Sequence, residues 1–343
     1  MSQGSSYSLE TKDVTILDIK KAIPSQCFES DLLISVLYTF RSFFFAAVLG
    51  FIMHSLRTVV HSSPLMWIMI IVYVLLQGLV FWGFFTIGHD CGHGAFSRYP
   101  AVNWIVGNAV HSLILVPYEP WRLSHRSHHK NTCNMAKEEI FYPNEAWYHK
   151  LFFLSIGGSW FVYILFKNVP GRRSYLAYFR QEFFVSAGQL ICSFVSILAV
   201  FTALTKSVNF FGFFNVFLYY LAPLFVFASW LVIVTFLHHN DSTCPWYTNE
   251  TWTLLKGSLS CCDRDYGWLV NAVSHNINLH QIHHLFPVIP HYHLAEATDA
   301  FRSAFPLLSR VRTGSNIVAF LSASKDWLFT KAIPGSNGVF LYK

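Results

Sequence analysis

The sequence predicts an all-α integral membrane protein. It reads as four transmembrane helices, shorter re-entrant or interfacial helices, and a histidine-rich cap at one membrane face. Three observations carry this. Of the 343 residues 53% are hydrophobic and only 12% charged, roughly half the charged share of a soluble domain. Four stretches are apolar over about 20 residues, the length a helix needs to cross hydrocarbon. Lys and Arg fall almost entirely to one side of those stretches. A mean hydropathy of +0.39 excludes a disordered chain, which would be poor in apolar residues and rich in charge.

Residues 1–31 are polar and predicted to be cytosolic. They contain no apolar run of the secretory kind and lack the Arg-rich, acid-poor character of a transit peptide, so insertion is expected to rely on the first internal span. That span covers about 32–54, with Arg41 near enough to an end to snorkel. The second covers 65–88, the third 183–204 and the fourth 210–237. Two further apolar stretches are short. Residues 101–117 contain Asn103, Asn108 and His111, and 151–166 is flanked by basic residues, so both are predicted to be re-entrant or interfacial. Residues 32–343 read as one membrane domain, its cytosolic cap built from 89–182 and 238–343.

Charge sets the sidedness. The loops at 55–64 and 205–209 hold only Arg57 and Lys206, so both termini and the cap are expected in the cytosol. The sequons at Asn240 and Asn249 then face the cytosol and stay unmodified. The seven cysteines are odd in number and read as reduced thiols. The net charge of +6 is spread out with no long basic run, which argues against a nucleic-acid partner.

Eight of the 17 histidines fall in three short windows: His89 and His93; His125, His128 and His129; His280, His283 and His284. On a helix, positions i, i+3 and i+4 share a face, so each window presents its rings in one direction. The predicted topology puts all three windows at one membrane face. A lone histidine is most often structural. Eight converging imidazoles would be costly to bury unless a metal held them, and neutral imidazole is a common metal ligand. A single zinc takes about four ligands, so eight histidines point to two ions, and imidazole alone does not choose among Fe, Cu, Zn and Ni. The first window imitates the metalloprotease pattern H-E-x-x-H, but Asp90 replaces the glutamate base and six histidines would be left idle.

These windows, in this order, resemble the membrane-bound fatty acyl desaturases, and most closely the methyl-end branch of Δ12 and ω-3 enzymes. The resemblance rests on AIPSQCF at 22–28, GHDCGHGAFS at 88–97, PYEPWRLSHRSHHKNT at 117–132, VIVTFLHHND at 232–241, DRDYG at 263–267 and HNINLHQIHHLFPVIPHYHLAEAT at 275–298. It implies two iron ions, O2 as co-substrate, and cytochrome b5 with its reductase as a separate electron donor. It implies an acyl-lipid or acyl-CoA substrate in the endoplasmic reticulum membrane, with membrane lipids around the spans. The product is a cis double bond toward the methyl end of an 18-carbon chain, converting oleate to linoleate, linoleate to α-linolenate, or both. The eight window histidines carry over as iron ligands. His239 carries over as a ninth, and His275 stands between ligand and support. His238 is read as structural, since relatives often have Gln there. The third window reads HQIHH where relatives often read HVAHH; the spacing is kept, and local packing is expected to differ.

With the metal carrying the chemistry, the expected role of carboxylates is to hold ligand rings in place. Asp90, Asp263 and Asp265 are the candidates, with loop or cap residues as the blander alternative. Phe81, Trp82, Phe85 and Trp121 are read either as an acyl-tunnel lining or as aromatic anchors at the lipid interface. His111, His149, His291 and His293 are read as structural or supporting, and His54 and His61 as remote from the site. Arg172, Arg173 and Arg180 could steer an acidic redox partner or contact anionic lipid. The rivals are an acyl hydroxylase or acetylenase on the same scaffold and, from another class, a membrane protein that binds metal without catalysis.

Overall fold

The computed structural model describes residues 14–60, 62–138, 140, 156–165, 175–329, 333–334 and 336–341, with the backbone alone at 165, 175–186, 333–334 and 336. His61, His149, Arg172 and Arg173 lie outside the described residues, and so does the side chain of Arg180.

The first spanning helix, α2 (Leu32–Val59), follows a short α1 (Ile16–Ala22). Asp31 starts α2 by accepting the N–H groups of Leu33 and Ile34 at 2.8 and 3.1 Å. Next come α3 (Ser63–His93), α4 (Pro100–Ser112), α5 (Tyr118–Asn131), α6 (Gly157–Leu165), α7 (Tyr175–Phe211) and α8 (Phe213–His239). Within α8 one turn, Phe217–Leu221, is π-helical. Among the described residues, the helices long and apolar enough to cross a membrane are four: α2, α3, α8 and the Ala187–Phe211 part of α7. These are the four expected spans, with different ends. The second and fourth run on through His93 and His239. With 31 residues α3 is about 46 Å long, against a hydrocarbon layer of about 30 Å. Its last turns therefore have length to stand clear of the apolar layer, and they carry the first histidine window.

The spans are not equivalent. About half of the apolar window is buried inside the protein in α3 (56%) and α8 (50%), against 11% in α2 and in α7. Hence α3 and α8 form the centre and pack on each other, while α2 packs outside α3. Phe40, Phe44 and Phe51 on α2 and Leu198, Phe201 and Phe210 on α7 are left exposed, a surface suited to lipid. The short α4 lies against α3 and α7, and α6 lies against α8. In this interior Phe85 meets Trp121, Trp160 and Phe227, and Trp82 stacks on Trp230.

The cap is built from short elements: α9 (Leu254–Leu259), α10 (Trp268–Val273), α11 (His280–Leu285), α12 (Leu294–Ala304) and α13 (Asn316–Phe329). Two small sheets pin it. Strand β1 (Trp246–Tyr247) and strand β4 (Ile333–Pro334) flank β5 (Val339–Leu341), both antiparallel to it. Strand β2 (Asp263–Arg264) runs parallel to β3 (Val311–Arg312). A second apolar core joins the N-terminal segment to the third histidine window: Ile19, Ile23 and Cys27 pack with Ile282, Leu285, Phe286 and Phe301.

Candidate metal centre

Four helix ends deliver the histidines. The last turns of α3 carry His89 and His93, and Gly94 then ends that helix in a left-handed cap (φ 76°), a conformation glycine adopts without strain. Helix α5 presents His125, His128 and His129 on one face, α8 ends on His239, and α11 carries His280, His283 and His284. The approach of α4 is close. His111 lies against Gly88, where any β-carbon would collide with its ring, and it pairs with the Phe85 carbonyl oxygen at 3.0 Å.

The rings form two adjoining groups. In the first, the ligand atoms of His89, His93, His125, His129 and His283 lie within 4.8 Å of one another. Here the Nε2 atom of His129 lies 3.1 Å from those of His125 and His283. In the second, the same holds for His128, His239 and His284. The Nε2 of His280 is 3.0 Å from those of His239 and His284, which brings it into this group. The groups adjoin where the rings of His129 and His284 stack at 4.1 Å.

Proton accounting shows what these nitrogens can do. The His128 Nδ1–H donates to the carboxylate of Glu138, at 3.0 Å from each oxygen. The Thr132 hydroxyl donates to the His128 carbonyl oxygen at 2.7 Å, so it accepts the His284 Nδ1–H at 3.1 Å. In the neutral tautomer that these contacts select, the inward Nε2 atoms of His128 and His284 are bare lone pairs. Burial pulls His125, His129, His280, His283 and His284 well below the ordinary imidazole range, which keeps these rings neutral. Lone pairs facing one another out of water repel unless they share a cation. Two nitrogens bound to one ion at about 2.1 Å, at angles of about 90–109°, lie about 3.0–3.4 Å apart. The observed 3.0–3.2 Å separations fit that geometry.

The fatty acid desaturase family model matches residues 64–313, a stretch that takes in all three histidine windows. The chain belongs to this family. An sn-1 acyl-lipid omega-3 desaturase (ferredoxin) of Synechocystis is 36% identical over 345 residues, covering 96% of this chain and 91% of its own. A protein of the same name from Nostoc is 36% identical, covering 84% of this chain and 80% of its own. An acyl-lipid omega-3 desaturase (cytochrome b5) of the endoplasmic reticulum, from Arabidopsis thaliana, is 37% identical, covering 82% and 74%.

Around the histidines of this desaturase Asp90 lies beside a ring of the first group, while Asp263 and Asp265 take the loop and cap places of the alternative expectation. Asp90 stands 3.6 Å from His89 Nδ1, but its bonds go to His291, which donates Nδ1–H at 2.8 Å and its backbone N–H at 3.1 Å. Asp263 touches no ligand ring. It accepts the Gln281 N–H at 2.8 Å, which caps the start of α11, and is held by Arg302 at 2.8 Å. Asp265 is exposed and far from this role: it accepts from the Gly267 N–H and the Asn271 amide, an ordinary turn leading into α10. His275 is not brought into either group. His275 and Asn276 both adopt left-handed backbone (φ 56° and 59°), and the His275 Nδ1 meets Arg41 at 3.2 Å. Arg41 also donates to the Ala272 carbonyl at 2.9 Å, so the charge expected to snorkel at the end of the first span is an anchor between α2 and the cap. His238 donates Nδ1–H to the Cys262 carbonyl at 2.6 Å, the structural role expected of it.

Sequence reasoning passed over Glu138, Thr132 and Cys261, whose Sγ lies 3.4 Å from His239 Nδ1. Glu138 sits nine residues past the second window, in a loop where no periodicity marks it. The aromatic candidates are all buried: Phe81, Trp82, Phe85 and Trp121 are interior residues rather than lipid-facing anchors. The Trp121 ring stacks on His125 at 4.7 Å.

Proposed function

We propose that this desaturase introduces a cis double bond at the ω-3 position of an 18-carbon acyl chain held in a membrane lipid, with linoleate to α-linolenate as the principal conversion. The observation that carries the reading is the convergence of nine histidine rings in two groups, on a chain whose relatives are named as omega-3 desaturases. We assign His89, His93, His125, His129 and His283 to one iron and His128, His239, His280 and His284 to the other. Bound iron would supply the activation of O2 needed to take hydrogen from an unactivated C–H, which no side-chain acid or base can do. Two hydrogens leave adjacent carbons, and with two electrons and two protons from outside, O2 ends as two waters.

The chain's own residues hold and exclude. Phe85 and Trp121 pack on each other beside His89 and His125 and, with the buried Phe81 and Trp82 of α3, keep water from the reacting carbons. Holding one carbon pair at the centre is what turns a repetitive acyl chain into a regioselective substrate. Electrons come from a separate carrier, which we assign to cytochrome b5 and its reductase. The protein then lies in the endoplasmic reticulum membrane as a four-span protein, with termini and metal centre in the cytosol.

The test is fatty-acid analysis of yeast expressing the chain, with and without added linoleate. New α-linolenate on feeding supports the ω-3 reading. Linoleate made from endogenous oleate would make the enzyme Δ12, and a product heavier by one oxygen would make it a hydroxylase.

A further inference from the structure

The two histidine groups differ in what stands behind the rings. Of the four rings of the His128 group, three have supported outward nitrogens: His128 by both oxygens of Glu138 at 3.0 Å, His284 by Thr132 at 3.1 Å and His239 by the Cys261 sulfur at 3.4 Å, while the His280 Nδ1 is buried without a partner. Glu138 is only 1% exposed, and the Ile140 N–H donates to its Oε1 at 3.0 Å, so the carboxylate is fixed in place. Behind the other group, among the described residues, no carboxylate makes such a bond. The Nδ1 atoms of His89 and His129 are buried without a hydrogen-bond partner: Asp90 Oδ1 stands 3.6 Å from His89, beyond hydrogen-bond length, while its Oδ2 binds His291 at 2.8 Å.

A carboxylate bonded to an imidazole N–H fixes the ring and makes its opposite nitrogen a stronger donor. We infer that the two metal positions are unequal, and that Glu138 is the positioning residue that makes the His128 position the tighter one. This rests on the two-iron reading above.

The experiment is an anaerobic titration of the full-length apoprotein in detergent with 57Fe(II), followed by Mössbauer spectroscopy, for the wild type, Glu138→Ala and Glu138→Gln. The wild type is expected to bind two ions and show two quadrupole doublets of equal area. In Glu138→Ala one ion is expected to bind as before and the other about 10–100-fold more weakly. Glu138→Gln still accepts the ring N–H but carries no charge, so it is expected to keep both ions and shift one doublet. It also decides the matter if the alanine variant does not fold. Equal weakening of both ions, movement of both doublets together, or no change in either variant overturns the inference while leaving two irons standing. Fewer than two ions in the wild type overturns the two-iron reading itself.

Discussion

Gln281 stands inside the third histidine window with its amide bonded on three sides. It donates to the carbonyls of Leu259 at 3.2 Å and Leu308 at 2.8 Å and accepts the Arg310 N–H at 2.8 Å. The side chain thereby ties α11 to α9 and to the approach to β3. A valine here would leave those buried groups unpaired, at about 1–3 kcal/mol each. Gln281→Val is therefore expected to melt several degrees lower in a thermal scan of the purified protein, with its iron content unchanged. An equal Tm would contradict this role. Gln281 thus combines its place between two window histidines with a buried amide that fastens the cap. Asp265 supplies the contrast. It is exposed and bonded only within its own turn, so Asp265→Ala is expected to leave the iron content at the wild-type value.

Among the elements, the α3–α4 crossing determines whether the first histidine window is presented at all. His111 on α4 occupies the space a β-carbon at position 88 would need. Gly88→Ala is expected to remove most of the folded protein from a size-exclusion profile, and the double change Gly88→Ala with His111→Ala to recover part of it. Gly50 lies on the lipid-facing α2, where an added β-carbon would meet nothing within 4 Å, so Gly50→Ala is expected to behave as wild type. This element scale also shows what could be read from sequence. Apolar length marked four spans, and i, i+3, i+4 spacing marked the rings that converge. Direction was not readable. His275 lies five residues before the third window, yet a left-handed turn at His275 and Asn276 sends its ring to Arg41. Glu138 was equally hidden, because a loop acid bonded to a ring on another element leaves no periodic trace. The burial of Trp82 and Phe85 was ambiguous for a third reason: an aromatic near the end of a span looks the same whether it meets lipid or another helix.

Across the whole molecule, two central and two peripheral helices, each long and apolar enough to cross a membrane, carry a histidine-rich cap at one end. The proposed orientation leaves Asn240 and Asn249 in the cytosol. Endoglycosidase treatment of the expressed protein is expected to cause no mobility shift, and a shift at either sequon would reverse the topology. The electron carrier is tested at the same scale. Purified enzyme is expected to turn over with cytochrome b5 and its reductase, whereas turnover only with ferredoxin and a ferredoxin reductase would move the assignment to the carrier named for the Nostoc and Synechocystis relatives. The central claim is that the converging histidines form one two-metal centre, and iron per chain tests it most directly. Elemental analysis of the protein purified from iron-replete cells is expected to give two irons per chain in the wild type, with loss in His128→Ala and in His283→Ala. One iron or none per wild-type chain, or an iron content indifferent to both substitutions, would contradict it.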